Sequence, residues 1–253
     1  MIPRVTLGRT GLQVSQLCFG TGSHGWNGHS DQSALGVEGL ADLLRHAYDR
    51  GITFWDTAHQ YGTHPHVAAA LRGVDRASVT IATKTTSKTE ADVADDVERF
   101  CAELGTEYVD IAILHCMTLP DWTTDMAGPM EALARARDRG LVRAVGVSCH
   151  DFGALTASAT TDWGDVNLVR INRAGVNMCA APDQVVPLIA QMQRAGKGVY
   201  GMKVLGCGEG GLTADPAGAL GYALDVPGID AVVVGLVSRD QVDQIADLVS
   251  ARV

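Results

Sequence analysis

The sequence predicts a (β/α)8 barrel, a TIM barrel formed as a single domain over residues 1–253. Three observations predict it. Short apolar runs alternate with helix-like stretches, the order of repeated strand–helix units. The length of 253 residues is normal for one such barrel. The polar side chains best suited to chemistry stand at the C-terminal ends of consecutive strand-like runs, where a barrel of this kind carries its reactive groups. A doubly wound open sheet is the competing architecture, but the GxGxxG turn that would follow its first strand is absent.

The strand candidates, in order, are QLCFGT, ITFWDT, VTIATK, VDIAILH, VRAVGVS, VNLVRIN, GVYGMKV and DAVVVGL. Each is short and rich in β-branched or aromatic residues, which suits strands covered on both faces. After the first, residues 37–50 place Leu40, Leu43, Leu44 and Ala47 on one helical face. A shorter helix over 65–71 follows the second. Residues 90–104 follow the third, with Val93, Val97, Phe100 and Leu104 spaced likewise. Helices over 129–139, 152–159, 182–195, 216–224 and 239–250 complete the series, some opening with proline near the first turn. Gly51, Gly105, Gly140 and Gly196 follow four of these helices, where a left-handed cap is wanted.

Composition narrows the function. The net charge of −9 argues against nucleic acid or an anionic membrane as a general partner, while leaving room for a local basic site that takes a cofactor phosphate. No apolar run reaches the ~18 residues that span a bilayer, and the N-terminus has no apolar secretory core. The six cysteines form no CxxC pair, so they read as small buried hydrophobes of a cytoplasmic protein. His64 and His66 invite a metal by spacing, but no carboxylate or cysteine accompanies them at ligand spacing. No metal is expected.

Four residues carry the chemistry. Asp56 and Tyr61 sit in ITFWDTAHQYG, Lys84 closes VTIATK, and His115 closes VDIAILH. A free tyrosine titrates near ~10, and a neighbouring ammonium favours its phenolate and lowers that value. A buried lysine needs a partner, and Asp56 supplies one. A histidine positions a carbonyl. Gathered at one mouth, the four make a proton donor for a carbonyl oxygen.

The chain resembles the aldo-keto reductases, nicotinamide-dependent carbonyl reductases built on this barrel. VTLGRTGLQVSQLCFGTG is similar to that family's N-terminal β-hairpin and first strand. FWDTAHQYG, IATK, AILH, RAVGVSCH, KVLGCG and VVVGLVSRDQVDQ follow in the family's order. The resemblance implies hydride transfer from a reduced nicotinamide, with Tyr61 protonating the oxygen and His115 orienting the substrate. It implies NADP as cofactor, with NAD as the alternative, and a small carbonyl or alcohol as substrate, a sugar-like one among the options. It places Thr21 and Gly22 at the ribose and nicotinamide, beside Asp56. It places Ser148 and Cys149 at the carboxamide, and Leu205, Gly206 and Gly208 around the pyrophosphate.

The sequence also departs from the family. Cys149 stands where asparagine is common, Leu168 where glutamine is, and Met202 where a tyrosine stacks under the nicotinamide. Gln241 occupies the position of a basic residue for the 2′-phosphate, with Arg239 two residues earlier, and Ile245 replaces an asparagine at the adenine. Trp26, Met117 and Trp122 are expected as pocket walls. Arg170 and Asn172 share parity with Leu168 and face inward or toward the mouth. Arg170 is either one half of an ion pair in the barrel or a donor to an anionic substrate. Two other functions remain open: non-redox enolisation or elimination in a barrel that keeps these four residues, and a nucleotide-binding subunit without catalysis, such as a channel regulator. The intact constellation argues against the last, since a binding subunit needs no tuned tyrosine.

Overall fold

The computed structural model describes residues 1–252. Eight parallel strands close into a barrel in the order β10-β3-β4-β5-β6-β7-β8-β9. These are β3 (Leu17–Gly20), β4 (Phe54–Asp56), β5 (Thr80–Thr85), β6 (Val109–Met117), β7 (Val142–Cys149), β8 (Val166–Arg170), β9 (Gly198–Met202) and β10 (Ala231–Gly235). The hairpin of β1 (Arg4–Thr6) and β2 (Gln13–Ser15) precedes them. Its Leu7, Leu12 and Val14 join the cluster inside the barrel and close its N-terminal end.

The helices are α1 (Gly36–Asp49), α2 (His64–Leu71), α3 (Glu90–Leu104), α4 (Trp122–Asp125), α5 (Ala127–Asp138), α6 (Phe152–Thr160), α7 (Pro182–Arg194), α8 (Pro216–Asp225) and α9 (Arg239–Ser250). The sequence-derived bounds hold to within two residues; the one-turn α4 was not anticipated, because four residues carry no period. Thr89, Asp151, Asp215 and Ser238 cap α3, α6, α8 and α9 with side-chain oxygens, which satisfies amide donors that helix starts leave open. Gly51, Gly105, Gly140 and Gly196 all have positive φ, as the caps required.

Strand parity positions everything that follows. Along each strand alternate side chains turn to opposite faces. Cys18, Phe54, Ala82, Ile111, Ile113, Ala144, Val166, Leu168, Tyr200 and Met202 fill the interior. Their neighbours Phe19, Trp55, Ile81, Ala112, Val145 and Val169 pack under the helices. Phe54 and Tyr200 meet across the interior with ring centroids 5.1 Å apart, and burying a side chain of that size stabilises by about 1.5–3 kcal/mol. Asp56, Lys84, His115, Ser148 and Arg170 follow the inward parity of their strands by two residues. Each therefore arrives at the open C-terminal end.

His64 and His66 are separated by the fold. His64 is buried at the start of α2, with Nε2 2.8 Å from Thr83 Oγ1 and Nδ1 2.6 Å from Glu103 Oε2. His59 Nδ1 lies 3.3 Å from the same carboxylate oxygen. The carboxylate missing from the local sequence thus comes from α3, and it brings ligand atoms of His59, His64 and Glu103 within 4.8 Å of one another. Burial pushes the His64 imidazole down to about 4 from 6.5, against the opposing pull of Glu103. The unfolded chain takes up this proton near 6.5 and the folded chain only near 4. The stabilisation is therefore complete above 6.5 and is lost as pH falls through that window. Thermal melts are expected to show Tm declining over the same range, with a shallower decline in His64→Gln. An equal slope in the variant would assign the acid sensitivity elsewhere.

Candidate active site

Asp56 is the centre of the site. Its Oδ1 accepts from Lys84 Nζ at 2.5 Å and its Oδ2 accepts from Tyr200 Oη at 2.8 Å. Lys84 is 1% exposed and donates a second time to the Thr57 carbonyl at 2.7 Å. A buried ammonium is tolerated only when paired and hydrogen-bonded, and both conditions are met. Tyr200 was missed in the sequence. Its signal was present: it lies two residues before Met202 on the inward parity of GVYGM, and a buried tyrosine hydroxyl wants a partner.

Tyr61 ends a 3₁₀ turn over His59–Tyr61. Its Oη lies 3.2 Å from His115 Nε2, and Lys84 Nζ sits 5.0 Å from its ring centroid. The ammonium is thus spent on Asp56 and Thr57 and does not bond the phenol oxygen. Burial first, then Asp56 and Cys116, push the Tyr61 phenol well above its ordinary value. The lowering by Lys84 expected from the sequence is not among the causes of this shift, and burial dominates it. Tyr61 is held as an acid, the form a proton donor needs. His115 goes the other way. Burial, then Lys84, His150 and Lys203, hold it well below 6.5, so the ring is neutral. Its Nδ1 is buried without a partner.

Several assigned residues have other positions. Gly22 lines the cleft, as expected, and with Gly25 also leaves room for the tyrosine, since a Cβ at either would overlap the ring of Tyr61. Thr21 is fully buried and bonds the Asp56 carbonyl at 3.1 Å and Thr63 Oγ1 at 2.8 Å. Its hydroxyl braces β4 and does not reach the mouth. Ser148 does face inward, and its Oγ accepts from the Cys116 amide at 2.9 Å. Cys149 has the opposite parity: its thiol donates to the Ala154 carbonyl at 3.4 Å and packs under the helices. Met117 packs there as well. Trp122 is buried, donates to the Ala154 carbonyl at 3.1 Å and meets Trp163 edge-on. Neither is a pocket wall. Trp26 is 63% exposed on the loop after β3 and lines no part of the cleft. Among the described residues Arg170 forms no ion pair with a carboxylate; its Nη2 lies 2.6 Å from His150 Nδ1. Asn172 lies beyond β8 and donates to the carbonyls of Val176 and Lys203, which shapes the loop.

A cleft of about 390 Å³ opens beside Tyr61 and Asp56, a size usual for ligand sites. It runs past Leu168, Met202 and Lys203, along Leu205, Cys207 and Gly208, to Gln241, Gln244 and Ile245. The glycine-bearing loop on its lining is suited to the phosphates of a dinucleotide. Gly208 has φ +86 with nothing near its missing Cβ, so the backbone there is open to an anion. Lys203, not anticipated, adds a cation at the loop's start. Gly206 differs. It is buried, with φ +62, and a Cβ would stand 2.9 Å from both Leu212 and Val176 side chains. A substitution there strains the fold before it tests anion binding. Gln241 lines the cleft while its Oε1 accepts from the Val237 amide at 2.9 Å. Arg239 is exposed on the first turn of α9.

The model of the Aldo/keto reductase family matches residues 16–215, and the chain belongs to that family. An aldo-keto reductase of Bacillus subtilis is 29% identical over 156 residues, which is 55% of this chain and 44% of that protein. The chain spans about half the length of the curated relatives it matches. The holo form of an aldo-keto reductase from Bacillus halodurans superposes with a TM-score of 0.78 at 20% identity, covering 98% of this chain and 91% of that one. A Bombyx mori aldo-keto reductase in complex with NADP gives 0.75 at 21%, covering 98% and 88%. At these identities the likeness is one of fold. Among the described residues no helix is long and apolar enough to cross a membrane.

Proposed function

We propose that this protein interconverts a small carbonyl compound and its alcohol with a nicotinamide dinucleotide. The supporting observation is the phenol of Tyr61, with Oη 3.2 Å from His115 Nε2, at a cleft that is also lined by Lys203, Leu205 and Gly208. When bound, the nicotinamide would supply or accept the hydride. Tyr61 gives its proton to the carbonyl oxygen as negative charge develops there. His115 Nε2–H is a second donor to the same oxygen and fixes its direction. Asp56 and Lys84 form the buried pair on which Tyr61 rests, so the phenol need not reorganise during the reaction. In the reverse direction the Tyr61 phenolate removes the alcohol proton.

Lys203 and the amides around Gly208 are suited to the pyrophosphate. Leu168 and Met202 offer apolar walls where a carboxamide would want polar partners. That departure is the specific ground for the alternative, non-redox chemistry next to a carbonyl. A fluorescence titration with NADPH and NADH separates the two. Binding of both is expected, with NADPH favoured about tenfold through an exposed charge-assisted contact to phosphate. Arg239→Ala should narrow that gap. Equal affinities untouched by the substitution would remove the NADP preference, and binding of neither would favour the non-redox reading.

A further inference from the structure

Two imidazoles and a carboxylate converge beside the turn that carries Tyr61. His59 opens the 3₁₀ turn His59–Tyr61, and His64 is the first residue of α2. Glu103 comes from the last turn of α3. One carboxylate oxygen, Oε2, lies 2.6 Å from His64 Nδ1 and 3.3 Å from His59 Nδ1. All three ligand atoms lie within 4.8 Å of one another, and among the described residues no other three histidine, cysteine, aspartate or glutamate side chains converge so closely. His66, whose spacing from His64 invites a metal in the sequence, takes no part. The expectation of no metal rests on the lack of a carboxylate nearby in sequence, and α3 supplies one.

The three donors suit zinc. Two imidazole nitrogens and one carboxylate oxygen, with a fourth position left to water, are a usual set for that ion, at bond lengths of about 2.0–2.2 Å. Nitrogen in two of three positions argues against magnesium and calcium, which take oxygen. Around a tetrahedral ion with such bonds, ligand atoms stand roughly 3.4 Å apart. The separation of His59 Nδ1 from Oε2, 3.3 Å, already has that spacing. The 2.6 Å separation at His64 is a hydrogen bond, and replacing its proton by an ion lengthens it by roughly 0.8 Å. The adjustment falls on His59 and Glu103, whose side chains are 45% and 30% exposed, and an ion enters from their side. His64 is the fixed ligand. It is buried and packed edge-on against Phe100, with ring centroids 5.3 Å apart.

The protonation states also suit an ion. Burial holds the His64 ring neutral, at about 4, against the pull of Glu103. Burial raises the Glu103 carboxyl, but hydrogen bonds from His64 and His59 outweigh it and keep the group below its ordinary value. His64 Nδ1–H then donates to Glu103, and Nε2 accepts from the Thr83 hydroxyl at 2.8 Å. A hydroxyl can donate or accept. When an ion takes Nδ1, the ring proton exchanges through water to Nε2 and is donated to Thr83 Oγ1, so the ring stays neutral and no buried atom is left unpaired. Ligating histidines commonly have such a partner on the other nitrogen, which fixes the tautomer and the ring's direction. Arg99 also faces the group. It is paired with Asp96 and approaches the other carboxylate oxygen, Oε1, at 3.8 Å, which leaves Oε2 to the ion.

We propose that His59, His64 and Glu103 bind one zinc ion, with Thr83 orienting His64, and that the ion ties the Tyr61-bearing turn and the start of α2 to α3. None of these four residues lines the cleft beside Tyr61, and the site does not depend on the reductase reading.

The test is calorimetric titration of the full chain, stripped with a chelator, with zinc chloride. One equivalent should bind. His59→Ala and Glu103→Gln should each weaken binding by about tenfold or more, and Thr83→Val by about tenfold. His29→Ala, at an exposed histidine outside the group, should leave it unchanged. Zinc in large excess over its Kd should raise Tm by on the order of five degrees, and the rise should vanish in His59→Ala, whose side chain is half-exposed. The cobalt-loaded protein should show a nitrogen and oxygen centre without a sulfur charge-transfer band. The competing donors are Cys116 and His150 at the barrel mouth, with Sγ 3.5 Å from Nε2. A sulfur band overturns the proposal, as does zinc affinity unchanged in His59→Ala and Glu103→Gln. Weak binding of several equivalents, or none, overturns it too. A Thr83→Val protein that binds zinc as tightly as the parent removes Thr83 from the site.

Discussion

Tyr61→Phe is expected to lower the rate of carbonyl reduction by about 10²–10⁴-fold, the usual contribution of a positioned general acid. Dinucleotide affinity should stay near that of the unaltered protein. The substitution is clean because it removes one oxygen and leaves the ring that Gly22 and Gly25 make room for. The lost hydroxyl has one side-chain partner, His115 Nε2, so the fold loses little. The burial-raised pKa of the phenol adds a pH signature: reduction should persist to alkaline pH, while alcohol oxidation, which needs the phenolate, rises with pH. Stopped-flow measurement of the chemical step is required, because release of product can mask it. A variant that keeps more than half of the single-turnover rate removes Tyr61 from the mechanism.

Lys84→Met is expected to have the largest effect on stability. It strips Asp56 of its ammonium inside the barrel and leaves Tyr200 as its remaining side-chain partner. Breaking a buried pair from one side costs about 3–5 kcal/mol, which for a chain of this size corresponds to a fall in Tm on the order of ten degrees. Adding Asp56→Asn removes the stranded charge, so the double variant should melt higher than Lys84→Met alone. Both should be poorly active, since the support beneath Tyr61 is gone. A Lys84→Met protein as stable as the parent would mean that the pair carries no net energy. A double variant no more stable than the single would mean that the lost lysine packing, and not the charge, is what matters.

The barrel and the four central residues were legible in the sequence because strand parity and strand ends are local properties. Asp56, Lys84 and His115 continue the inward alternation of their own strands, and Tyr61 follows Asp56 at a short distance. The same alternation would have turned Cys149 outward, because Val145 and Val147 share its face. Matching the residue to a family position obscured this. Tyr200 was legible in principle as a buried hydroxyl in search of an acceptor. Other features were not. That Thr21 bonds Thr63, that Gly22 makes room for the ring of Tyr61, and that Glu103 meets His64 are contacts between separate loops and helices with no period to announce them. The burial that reverses the direction of the Tyr61 shift is likewise a property of the assembled mouth. Arg170 shows the limit most clearly: parity placed it correctly, but the choice between an internal ion pair and a free donor depended on carboxylates that other elements could have supplied and did not.

The central claim is that Tyr61 protonates a carbonyl while hydride arrives from a nicotinamide. The most direct measurement is transfer of deuterium from a reduced nicotinamide labelled at its reactive carbon to an added aldehyde, read in the alcohol by mass spectrometry. The unaltered protein should place one deuterium on the carbinol carbon, and Tyr61→Phe, with the labelled dinucleotide bound, should place almost none. Dinucleotide binding without deuterium transfer, or equal transfer by the two proteins, would contradict the account.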